Sequence, residues 1–79
     1  MAARLTTDDV LRCLEDATQS APGSLAPSTD LATVDGWDSM GMVMFMGIVT
    51  ERTGIELSVQ DFRTATSPAA IAELIAQRF

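Results

Sequence analysis

Apolar residues come in three helical bursts separated by polar or turn-forming segments. In the first, Val10, Leu11, Leu14 and Ala17 recur at the spacing of one helix face, and Thr6 followed by Asp9 resembles a capping box with Asp in place of Glu. The spacing predicts a helix over about residues 7–18. Cys13 falls beside Leu14 at the border of that stripe, which suits a small, partly buried hydrophobe better than a reactive thiol. The second burst, SMGMVMFMGIVTERTG, predicts a helix over about 39–53, with Asp38 or Ser39 able to cap its start and Gly54 able to end it in a left-handed conformation. At 100° per residue, Met42, Phe45, Met46 and Val49 form a core stripe, while Met40, Met44, Gly47 and Glu51 lie roughly opposite. Ser58 and Asp61 can start a short turn through Phe62. Ser67 and Pro68 then form an N-cap and first-turn pair for a last helix carrying Ile71, Leu74 and Ile75, with Phe79 a further candidate for that face.

Between the first two helices, residues 20–38 show neither helical nor alternating periodicity. A connection of this length is unusual unless it has a function. Leu25, Leu31, Val34 and Trp37 are spaced through it like anchors, so it reads as an ordered, packed loop. No segment alternates long enough to demand a strand. The expected class is all-α: a small four-helix bundle of three main helices and one short one, with a long ordered loop between helices one and two.

The size of 79 residues sets the expectation of one domain over 1–79, and 47% hydrophobic with 20% charged residues is globular composition. Eleven acids against five bases, all Arg, give a net charge of −6 and a pI near 4.1. Such a field disfavours nucleic acid and favours basic partner surfaces. The chain has no His, no Lys and one Cys. The usual general bases, Schiff-base lysines, zinc ligands and Cys/His pairs are therefore missing, and neither an enzyme nor a metal site is expected. The N-terminal MAARLTTDDVLRCLED has no apolar signal core, and the longest apolar stretch, Met40 to Val49, is far shorter than the roughly 20 residues that cross a bilayer. A soluble cytoplasmic protein without a membrane partner is expected.

The most informative stretch joins the long loop to helix two: Asp35-Gly36-Trp37-Asp38-Ser39-Met40. Together with Thr-Gly-Ile-Glu-Leu at 53–57, the short turn near Asp61-Phe62 and the Thr66-Ser67-Pro68 opening of the last helix, it resembles the acyl carrier protein family over nearly the whole chain. The resemblance implies that Ser39 carries a 4′-phosphopantetheine arm, placed there from coenzyme A by a phosphopantetheinyl transferase. It also implies a carrier that catalyses nothing itself and that holds acyl or aminoacyl intermediates as thioesters. Its partners would be an acyl-loading enzyme and acyltransferase or ketosynthase-type enzymes. Asp38 matches a position that helps enzymes dock, and Met40 matches the usual apolar partner contact. Independently of the resemblance, a serine in the first turn of a helix stands beside unpaired amides and the positive end of the helix dipole, which suits a phosphodiester.

Helix two departs from the fatty-acid-synthesis pattern, because its second face keeps a single acid, Glu51, followed by Arg52. Either Met40 and Met44 form an adaptable apolar docking strip, or the loop buries that side too. The departure directs the reading toward a discrete, monomeric carrier of a dedicated route, such as polyketide, antibiotic or hybrid peptide biosynthesis. Peptidyl or general fatty-acid carriers of the same fold, and a helical interaction module in which Ser39 is only a cap, are the alternatives. The candidate docking residues are Asp35, Asp38, Met40, Met44, Glu51, Glu56 and Asp61. Residues 30–61 hold six acids against Arg52, or −5 of the total −6, so the negative charge is concentrated around Ser39.

Overall fold

The structure is a computed structural model that describes residues 5–78. Its α-helices are α1 (Thr7–Thr18), α2 (Ser39–Thr53) and α3 (Pro68–Ala76), with short 3-10 segments at Leu31–Thr33 and Val59–Arg63. Among the described residues there is no strand. The all-α expectation therefore holds. Phe79, proposed for the last helix face, lies outside the described residues.

The local signals that start each helix are all satisfied. Thr6 Oγ1 accepts from the Asp9 amide at 3.1 Å while the Asp9 carboxylate accepts from the Thr6 amide at 3.0 Å, closing the capping box. Hydrogen bonds donated to the Asp9 carboxylate by the Thr6 amide foremost, and by the Thr6 hydroxyl at 3.0 Å, hold it below its ordinary range. Asp38, not Ser39, caps α2, its Oδ1 accepting from the Gly41 amide at 2.9 Å. Gly54, at φ +76°, ends that helix. Ser67 Oγ accepts from the Ala70 amide and Pro68 occupies the first helical position of α3.

Val10 and Leu14 of α1, Leu31 of the loop, Phe45 and Val49 of α2, and Ile71 and Ile75 of α3 are fully buried together. Trp37, Phe45 and Phe62 pack edge-to-face in a triangle with ring centroids 5.2 to 5.9 Å apart. On α2 the buried stripe is centred on Gly41, Phe45, Val49 and Thr53, whereas Met42 and Met46 are half-buried flanks. Leu74 is likewise a flank, and Ala72 takes the buried place beside Ile71 and Ile75. Cys13 is buried, and loss of hydration pushes its thiol up, away from the thiolate that reactivity needs.

The long loop is ordered, as its anchors implied, with Leu25 and Leu31 buried and Val34 and Trp37 packed against the core. It is not wholly irregular, however. The 3-10 turn at Leu31–Thr33, absent from the sequence reading, is capped by Asp30, whose carboxylate accepts from the Ala32 amide. Glu15 is the other unread anchor. Although charged, it is buried on α1, and its Oε2 accepts from the loop amides of Gly23 at 2.9 Å and Leu25 at 3.4 Å. Further along, the Leu31 amide donates to the Thr66 carbonyl and the Ala69 amide donates to the Pro27 carbonyl. The loop is thereby tied to α1 and to the start of α3, which leaves one side of α2 uncovered.

Candidate functional site

Three backbone segments meet where the loop enters α2. Gly36 adopts φ +88°, and a Cβ built there would stand 2.6 Å from the Thr18 carbonyl oxygen at the end of α1. The Gly36 carbonyl in turn packs on Gly41, where an added Cβ would overlap it. Only glycine fits at either place. Ser39 is exposed on the first turn of α2, between these two contacts in sequence. Its position is therefore fixed by main chain stacked on main chain.

The electrostatics of this turn suit an anion. The first amides of a helix lack intrahelical acceptors. Asp38 takes that of Gly41, and the Met42 amide begins the helix ladder by donating to the Asp38 carbonyl at 2.9 Å. The Ser39 and Met40 amides remain at the N-terminal end beside the serine hydroxyl. A phosphodiester on Ser39 would meet two amide donors and the positive end of a fifteen-residue helix. The residues present therefore fit a phosphate-linked group.

The candidate docking residues divide into two sets. Asp35, Asp38, Glu51 and Glu56 are exposed, and so are Met40 (74%) and Met44 (49%). The methionine strip is thus surface, not a second buried side. Asp61 differs, because its carboxylate accepts from the Ser58 amide at 2.8 Å and pairs with Arg78 at 2.7 Å, with its side chain only 16% exposed. The Ser58 amide foremost, with Arg78 assisting, holds its carboxyl below the ordinary range. Asp61 thus also serves the fold, capping the Val59–Arg63 turn. Sequence reasoning missed Gly41 and Val43 at this site. A glycine inside the first turn of α2, where it weakens a helix, was the signal for Gly41; Val43 fell between the two stripes assigned on the helical wheel.

A family model described as the phosphopantetheine attachment site matches residues 8–75. The chain belongs to that family. Its cofactor is covalently attached 4′-phosphopantetheine. Phosphopantetheine carrier domains are generally non-catalytic and work with phosphopantetheinyl transferases and acyl-handling enzymes. No curated protein and no solved structure matches the chain. No helix among the described residues is long and apolar enough to cross a membrane.

Proposed function

We propose that Ser39 is the attachment residue and that residues 1–79 act as one acyl carrier domain, itself without catalytic activity, in a cytoplasmic biosynthetic route. The observation that carries this reading is an exposed serine on the first turn of α2, beside two unpaired amides and mounted on the Gly36 and Gly41 contacts. A phosphopantetheinyl transferase takes the arm from coenzyme A to the Ser39 hydroxyl. When bound, the arm supplies a terminal thiol that holds an acyl or aminoacyl group as a thioester. The chain's own contribution is to fix the anchor, to neutralise part of the phosphate charge with helix amides, and to present a docking surface that makes each transfer local.

Asp35, Asp38, Glu51 and Glu56 steer basic partner surfaces toward the site, while Met40 and Met44 contact the docked enzyme. Asp61, paired with Arg78 in the fold, adds to the same acidic docking surface. The scarcity of acids on α2 sets its partners apart from those that read an acidic helix, which favours a polyketide or hybrid natural-product route and acyltransferase or ketosynthase-type enzymes matched to it. Incubation with coenzyme A and a broad-specificity transferase should raise the intact mass by one phosphopantetheine, and Ser39→Ala should abolish the gain while keeping the wild-type melt. Failure of the folded wild type to gain mass with several active transferases would refute the attachment role.

A further inference from the structure

An acyl chain carried on an arm at Ser39 has two places to be, in water or in the apolar interior beneath the start of α2. Burial favours the interior about fourfold for each methylene, so an interior with a way in would draw the chain inside. On one side of that helix start, the Gly36 backbone is stacked between Thr18 of α1 and Gly41, without room for a single Cβ. On another stands Trp37, two residues before Ser39, its amide donating to the Val34 carbonyl at 3.2 Å. Its ring meets Phe45 edge-on at 5.9 Å and Phe62 at 5.2 Å, and both of those rings are buried. The remaining side, where Met40, Val43 (58%) and Met44 stand, faces solvent.

The aromatic side is filled and held. The three rings, in mutual edge-to-face contact, occupy the space between the loop, α2 and the Val59–Arg63 turn. The segment leading to Phe62 is tied on both flanks. Arg78, just past α3, donates to the Asp61 carboxylate at 2.7 Å and to the Glu56 carbonyl at 3.1 Å, and the Thr50 hydroxyl of α2 donates to the Ile55 carbonyl at 2.9 Å. A groove of about 660 Å³ does run along the side of α1 turned away from Val10 and Leu14. Its walls include Asp8, Arg12, Glu15, Asp16 and Arg52, however, and such an ionisable lining suits a saturated chain poorly. We propose that Trp37, backed by Phe45 and Phe62, is a stopper that keeps the cargo of Ser39 out of the interior, so that this carrier holds short or polar acyl groups, which lose little by staying in water.

This inference rests on Ser39 being the attachment residue. Acetyl- and octanoyl-phosphopantetheine, transferred from the corresponding acyl-coenzyme A by a broad-specificity transferase, are the probes, and the melting temperature of each loaded protein is the readout. The wild-type octanoyl and acetyl forms should melt within about 1 °C of each other. Trp37→Ala empties the place of the stopper, and its octanoyl form should melt at least about 4 °C above its acetyl form, the rise expected once the vacated space takes in one or two methylenes. Trp37→Leu keeps an apolar side chain against Phe45 and Phe62, serves if the alanine protein does not fold, and should show a rise of the same sign. A wild-type octanoyl form that melts several degrees above the acetyl form would overturn the inference, because the interior would already take the chain. So would folded variants whose two forms melt alike, since Trp37 would then not be what bars the way. Both outcomes leave the carrier reading intact. If the folded wild type accepts neither arm, the carrier reading itself fails, and this inference with it.

Discussion

Helices α1 and α2 break the rule of apolar inside and polar outside in opposite ways. On α1 every large apolar side chain is at least half-buried, and the exception is a charge drawn inward, Glu15. On α2 the inner stripe is complete, yet Met40, Val43 and Met44 remain in solvent. The inward exception is explained within the chain, by the two loop amides it satisfies. The outward one has no internal partner, because the loop that might have covered it is tied to α1 and α3. Exceptions of the first kind belong to the fold, and those of the second kind belong to what the fold meets.

The contrast is sharpest between neighbours on α2. Phe45→Ala should cost about 3 to 5 kcal/mol, a large part of the stability of a small domain, because it removes a fully buried corner of the aromatic triangle. Its neighbour Met44→Glu should change stability by no more than about 0.5 kcal/mol, as expected at an exposed position, while weakening transfer from at least one cognate enzyme. Urea denaturation of the two variants checks this. A Met44→Glu protein that unfolds as readily as Phe45→Ala would erase the distinction between the two sides of α2.

Next in size is the exception on α1. Glu15→Ala leaves the Gly23 and Leu25 amides without their acceptor and should cost about 1 to 3 kcal/mol, with faster amide hydrogen exchange at those two residues. Wild-type exchange rates there would show that the loop holds itself.

The smallest effect separates the caps from both exceptions. Asp9 and Asp61 have lowered folded pKa values, so the stability they add is fully present above the ordinary carboxylate range, near about 4, and is lost as pH falls through the lowered values. The difference in melting temperature between wild type and Asp9→Asn should therefore be steady near about pH 6 and shrink as acidification proceeds below about pH 4. A difference that persists undiminished at the acidic end would mean that the charge of Asp9 is not what the cap uses.

What was legible in the sequence follows the range of the interactions involved. The starts of α1, α2 and α3 depend on contacts within four residues, such as Thr6 with Asp9, Asp38 with Gly41 and Ser67 with Ala70, and they could be read directly. The 3-10 turn at Leu31–Thr33 was hidden because three residues with one buried side chain carry no period. Glu15 was hidden because its partners lie 8 and 10 residues away in a segment with no regular backbone. The helical wheel gave the direction of the core on α2 but not how far the loop reaches around it, so the exposure of Met44 needed the structure. Ser39 stood out from its motif and its helix start. Its mount did not, since the contacts of Gly36 with Thr18 and Gly41 are between main-chain atoms, and the two glycines are the whole trace they leave in the sequence.

Those contacts bear on how such a protein can diversify. Because the anchor is seated on peptide groups, its placement does not depend on the identity of the surface side chains around it. On the proposed function, substitutions at Met40, Val43 and Met44 would change which enzymes recognise the carrier without moving Ser39. Delivery and addressing would then occupy two separate layers of one helix.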